Sequence, residues 1–369
     1  MNNKNNTMAA VPGNVAEAAA PLPAGQTSPH SAVLRRGVFS LAGCLLLALG
    51  LISCFSSADF ASWVSYYLVV AVPVQIVLTM VWQTAYPQRL AALPQPAKGL
   101  ALTLLTVLLW LQTGALCQPT PFSVMYAIMS VVATFWLVIV WRCWPFSALF
   151  SKPLVLGLAI WLTGYGGGYL LFSLLFDFSA MAGAPFYQQG LDPQGTFAAF
   201  DSLAFAVTTV AVIFALVLLD FWPLSRLARI QQQPLQGGVS RSVLVLLLAA
   251  LLYLCGVWAG TLEPVVFMVW VAIGLLFGAL VPLLMFEGRL FSTWGQPRQG
   301  FGQLLLAVIV GPLLALLLWQ MTPLVSGVLP AGAPGYDHEL WLASTLLAVT
   351  FPLMVAHSQF FAFWPLPRP

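Results

Sequence analysis

The chain has 369 residues, of which 60% are hydrophobic and only 6% charged, and its mean hydropathy is +0.93. An ordinary soluble domain carries about 25% charged residues, so a water-facing surface cannot be assembled from this supply. That excludes a soluble enzyme, a disordered chain and a nucleic-acid-binding protein, and leaves an all-α polytopic membrane protein whose first partner is the lipid bilayer.

Residues 1–36 are rich in Pro, Ala, Gly and Ser and have no apolar period, which predicts a disordered cytoplasmic tail. A span needs about 20 mostly apolar residues to cross the hydrocarbon core. That length predicts about ten transmembrane helices within 37–369, at 37–56, 63–83, 99–117, 122–141, 153–175, 202–221, 242–260, 264–286, 302–321 and 341–362. The first has some marks of a signal peptide, with Arg35-Arg36 ahead of it and Leu51-Ile52-Ser53-Cys54 like a lipoprotein cleavage box. Its apolar run is long for a cleaved segment, so it is read as a retained span.

Orientation follows from Lys and Arg. With the N-terminus and C-terminus cytoplasmic, all 13 basic residues fall inside, and seven of the ten acids (Asp59, Asp177, Asp192, Asp201, Glu263, Asp337 and Glu339) fall outside. A miscounted helix would scramble that segregation. With short loops, it points to the inner (plasma) membrane of a prokaryotic cell.

The inner connections repeat. Trp82–Pro87 is followed by Pro96–Gly99, Trp141–Pro145 by Pro153–Gly157, and Asp220–Pro223 by Pro234–Gly237. A degenerate copy runs through Phe286-Glu287-Gly288, Trp294 and Pro297–Gly300, and Phe363-Trp364-Pro365 begins a fifth with no helix after it. These predict tandem two-helix repeats joined by short interfacial Trp-Pro segments. The aromatic ring suits the headgroup level, and proline ends the helix ladder. Convergent use of a cheap helix stop is the alternative, and repetition in a fixed order favours duplication over it.

Groups able to carry chemistry are few. Arg142 and Asp220 hold the same offset from their prolines, so repeats packed side by side would offer them as an inner-surface ion pair; two interfacial residues reaching for water is the duller reading. His357 is the one histidine well inside a span, which suits a hydrogen-bonded bridge between helices better than a relay or ligand. The run Gly164-Tyr165-Gly166-Gly167-Gly168 reads either as an unwound stretch lining a cavity or as a close-packed face. Gly274 and Gly278 have packing spacing, and Pro73, Pro282, Pro312 and Pro352 add kinks. The outer loops 176–201 and 322–340 exceed what a connection requires, and Asp337 and Glu339 suit the first turn of the last helix.

Five scattered cysteines (Cys44, Cys54, Cys117, Cys143 and Cys255) form no CxxC pair, so neither a disulfide framework nor a metal site is expected. No nucleotide-binding or hydrolase motif appears, and neither an enzymatic activity nor a cofactor is expected. Two functions remain open. One is a permease for a small, uncharged or weakly charged solute, with Gln75, Thr208, Thr209, His357 and Gln359 beside Gly166–Gly168 as a polar path; that path requires those residues to face one another. The other is a non-catalytic anchor or scaffold subunit of a redox, pigment or export assembly, with other membrane subunits as partners.

Overall fold

In lipid, an apolar segment satisfies its backbone polar groups only by coiling into a helix or closing a barrel. The computed structural model describes residues 30–114, 121–183, 187–227 and 233–366. It is about 75% helical and has eight helices long and apolar enough to cross a membrane, as a helical membrane protein requires.

The helices in chain order are α1 (His30–Ile52), α2 (Ser57–Ile76, continued by a π turn at Val77–Val81), α3 (Ala97–Gly114) and α4 (Pro121–Phe135, with a π turn at Trp136–Val140). Then come α5 (Pro153–Leu175), α6 (Ala199–Leu218), α7 (Pro234–Ala259), α8 (Pro264–Met285), α9 (Arg298–Val325) and α10 (Asp337–Phe360). The described apolar stretches of α2 and α3, Val72–Val81 and Ala97–Leu109, are shorter than a span. Residues 1–29 lie outside the described residues. The predicted tail overreaches, because residues 30–36 belong to α1, where Arg36 finds a carboxylate partner in Glu287.

The even-numbered helices form a closed ring. In turn, α2 touches α4, α4 touches α6, α6 touches α8, α8 touches α10, and α10 returns to α2. Each odd helix lies outside, in the groove between two of these. Thus α3 packs on α2 and α10, α5 on α4 and α2, α7 on α6 and α4, α9 on α8 and α6, and α1 on α10 and α8. Burial follows the two layers: 83% of the most apolar stretch of α6 is buried, against 11% of α7. The outward leucines of α7, such as Leu247 and Leu251, are exposed as a lipid-facing surface requires.

The same turn ends each inner helix. Two consecutive residues take left-handed backbone at Gln83-Thr84, Arg142-Cys143, Asp220-Phe221, Glu287-Gly288 and Ala362-Phe363, with φ between 49° and 68°. Four of these turns follow a π turn, and their second residue donates its N–H to the carbonyl six positions back: Thr84 to Leu78, Cys143 to Leu137, Gly288 to Pro282 and Phe363 to His357. No π turn is assigned at the end of α6, and its bond, Phe221 to Leu216, reaches back five. The π turn is an inserted residue, and the bond is one residue shorter where it is lacking.

Close packing at the same end is also cyclic. A methyl group on Gly157 of α5 would overlap the Trp82 ring, one on Gly238 of α7 the Trp141 ring, and one on Gly300 of α9 the backbone of Leu218 and Leu219. Likewise Gly37 of α1 meets Phe286, and Gly99 of α3 meets Phe361. Every outer helix therefore seats a residue at the end of an inner helix, which for α5, α7 and α9 lies three helices earlier in the chain. In this scheme α1 takes the place of the outer helix that would follow α10.

The opposite end is capped by the 176–201 loop. Phe176–Asp177 (β1) pairs in parallel with Phe197–Ala198 (β2). Asp192 accepts hydrogen bonds from the N–H groups of Phe178 and Gln194 and from the Tyr187 hydroxyl, and Phe176 and Phe178 are fully buried beneath.

Candidate functional site

The inner ring encloses a cavity of about 60 Å³. Every inner helix contributes to its wall: Val72 from α2; Ile128, Val131, Val132 and Phe135 from α4; Val207, Val210 and Phe214 from α6; Leu276 and Leu280 from α8; Leu347 and Phe351 from α10. The wall is hydrocarbon throughout. Phe135 and Phe214 meet edge to face with ring centroids 5.0 Å apart, a favoured aromatic geometry. Water needs two to four polar partners to occupy a cavity, and this wall offers none. The sequence held a partial signal for the site: Phe135 and Phe214 lie at matching distances from the ends of α4 and α6 once the inserted π residue is allowed for.

The residues predicted to form a polar path are not brought together. Helix α5 is continuous from Pro153 to Leu175, without an unwound stretch at its glycines. Gly164 and Gly168 are buried against Thr134 and Ser130 of α4, where a side chain would overlap them, while Gly166 faces open space and a methyl group on Gly167 would lie 3.7 Å from the Ala133 methyl, an ordinary contact. The run is thus a packing face for α4, since Gly164 and Gly168 are one turn apart. Gly278 packs in the same manner against Ala307 of α9, and Gly311 of α9 against the backbone of Gly274, while a methyl group on Gly274 itself would make only ordinary contact with Pro312.

Gln75 is buried between α2 and α10, where its Nε2 donates to the Pro352 carbonyl at 3.4 Å and its Oε1 has no partner. Thr208 and Thr209 bond back to Ala204 and Ala206 of their own helix, and Trp136 Nε1 donates to Thr209 at 3.5 Å. His357 bridges α10 to α1 through Ser40 Oγ at 3.0 Å and lies edge-on to Phe363. Gln359 is exposed on the outside of the bundle. These side chains serve separate helix contacts.

The predicted Arg142–Asp220 ion pair is also absent, with no N···O approach within 4.0 Å. The ion pairs among the described residues are Arg36–Glu287 at 2.8 Å and Arg289–Glu287 at 3.5 Å. Arg142 and Asp220 are each the first left-handed residue of their own turn, so they stand one unit apart around the ring. Burial raises the Asp220 carboxyl above its ordinary range, and the more distant Arg142 charge opposes this. The corresponding residue of the turn after α8, Glu287, meets Arg36 of α1 instead.

At the other end, Asp337 and Glu339 do occupy the first turn of α10. Glu339 accepts from the Gly332 N–H, and His338 stacks on Trp319 with ring centroids 3.3 Å apart. Among the described residues no group of three His, Cys, Asp or Glu side chains is placed to hold a metal. Cys44, Cys54, Cys143 and Cys255 are free thiols; Cys117 lies outside the described residues.

Comparison with known proteins adds no relative: no family model matches the chain, and neither does any curated protein or solved structure.

Proposed function

We propose that this chain is a ten-span permease of a prokaryotic plasma membrane, with both ends in the cytoplasm. On this reading it passes a small, uncharged or weakly charged solute along the axis of its inner ring. The apolar axial cavity with a wall drawn from all five inner helices carries the reading. A route beside α5 is set aside, because the polar residues expected to line it face apart. The axis replaces it, with Phe135, Phe214 and Phe351 as the narrowing.

The wall also selects the solute class. An unpaired polar group costs several kcal/mol on entering hydrocarbon, roughly 2–7 depending on the reference state, and an ion far more. A hydrocarbon wall therefore disfavours ions and admits small solutes with few polar groups. The recurring turn, the cyclic glycine contacts and the sequence repeat together support descent from a duplicated helix pair. No enzymatic step and no cofactor enter this reading.

Osmotic swelling of liposomes containing the purified protein, followed by stopped-flow light scattering, tests it. Small neutral solutes should enter several times faster than into empty liposomes, while sodium and chloride should not. Equal rates with and without protein would overturn the reading. The anchor-subunit alternative predicts such equal rates together with other subunits in stoichiometric amounts in native mass measurements in mild detergent.

A further inference from the structure

Two buried arginines occupy corresponding grooves of the ring, and only one has a counter-charge. Arg36 of α1 is 5% exposed. It lies between the turn after α8 and the turn after α10, ion-paired with Glu287 at 2.8 Å and with its Cζ 4.2 Å from the Phe363 ring centroid. Arg241 of α7 is 6% exposed and lies between the end of α4 and the turn after α6. Its Nε donates to the Val140 carbonyl at 2.6 Å, and its Cζ is 6.0 Å from the Phe221 ring centroid. Phe221 and Phe363 are both the second left-handed residue of their turns.

The contrast lies at the first left-handed residue. In the turn after α8 this is Glu287, with φ 53°; in the turn after α4 it is Arg142, with φ 49°. One groove therefore closes on Glu287, whose carboxylate faces Arg36 and, at 3.5 Å, Arg289; in the other, Arg241 holds the Val140 carbonyl two positions before Arg142, and a second arginine stands where the carboxylate would be. Asp220 is the neighbouring carboxylate, yet among the described residues neither Arg142 nor Arg241 has a carboxylate oxygen within 4.0 Å. Like charges brought together away from bulk water repel, and a fold retains such a pair at low cost when an anion bridges it. Planar guanidinium forks match the oxygens of a phosphate group. Basic pockets between helices at the cytoplasmic surface are where lipid phosphates are bound.

We propose that Arg142 and Arg241 form a binding site for a phosphate group, supplied by an anionic lipid headgroup or by free phosphate. The site stands on the groove geometry and does not depend on the axial route.

The test uses the full chain in a neutral maltoside detergent, with thermal unfolding followed at constant ionic strength. Titrants are inorganic phosphate, phosphatidylglycerol and, as a zwitterionic control, phosphatidylcholine. A saturable rise in midpoint is expected, roughly 5 °C at a hundredfold excess over Kd. A rise with phosphatidylglycerol alone identifies the lipid as source, and a rise with inorganic phosphate identifies the free anion. Arg241 is buried and its variants risk misfolding, so the informative changes are at half-buried Arg142. Arg142→Glu supplies the carboxylate that the other groove has; it should melt higher than the natural chain without titrant and lose the anion-dependent rise. Lys152→Gln, a loss of charge at the same end outside the groove, should keep it. No rise with either anion, or an undiminished rise in Arg142→Glu, overturns the proposal.

Discussion

Arg36 and Glu287 stand 251 positions apart in the sequence and 2.8 Å apart in space. Their contact fastens the first helix to the end of the eighth, where α1 fills the outer place next to α10. The outer layer is thus completed by a contact between the first helix and the turn after α8.

Removing one partner should cost more than removing both. Glu287→Ala leaves the Arg36 guanidinium buried without its carboxylate, a loss of about 2 kcal/mol for a charged hydrogen bond partly open to solvent. Arg36→Met combined with Glu287→Ala should recover part of that loss, because no buried charge remains unpaired. Thermal melting of the three proteins in detergent measures the difference; a double variant no more stable than Glu287→Ala would show that the pair contributes nothing to fastening α1.

Neighbouring glycines of α5 should respond in opposite directions. A Cβ at Gly168 would lie 2.5 Å from Ser130 Cα, so Gly168→Ala should destabilise by about 1–3 kcal/mol through overpacking. Gly166 faces open space, and Gly166→Ala should stabilise the helix by roughly 0.5–1 kcal/mol. Transport that fails in a well-folded Gly166→Ala protein would return function to this glycine run.

If the axis is the proposed route, trimming the phenylalanines that line its cavity should open it. Phe214→Ala is expected to raise neutral-solute flux severalfold in the swelling assay, with a stability loss of up to about 3–5 kcal/mol from the cavity it creates. Phe214→Leu keeps more of the packing and should give a smaller rise. Flux unchanged in both folded variants would place the route elsewhere.

His357 bridges α10 and α1, so a side chain that still hydrogen-bonds Ser40 should suffice. His357→Gln is expected to stay within about 1 kcal/mol of the natural stability and to transport normally. Loss of flux in a stably expressed His357→Gln protein would assign the ring a part in transport.

Ala362 holds left-handed backbone at φ 51°, which a Cβ disfavours by roughly 1–2 kcal/mol. Ala362→Gly should raise the melting midpoint, with a gain of at most about 1 kcal/mol because glycine also loosens the unfolded chain. A lowered midpoint would mean that the Ala362 methyl packs more tightly than its turn requires.

Membrane residence, helical class and the approximate place of each long helix were legible because they depend on local quantities. Twenty apolar residues in a row must coil to satisfy their backbone in lipid, whatever surrounds them. The Trp-Pro punctuation was legible for the same reason, since each helix stop is written in a few consecutive residues. What the sequence could not disclose were relationships between segments far apart in the chain. Arg36 reads as a flank of the first apolar segment, and nothing near it points to Glu287. Gly164–Gly168 reads equally as broken or packed, and the presence of Ser130 and Thr134 on α4 decides it. Phe135, Phe214 and Phe351 are three among 25 phenylalanines until the ring turns them toward one cavity. Hydrophobic burial fixes that apolar faces are covered, but with almost every face apolar it does not say by which neighbour. Shape at close approach, glycine against aromatic ring and guanidinium against carboxylate, made that choice in three dimensions.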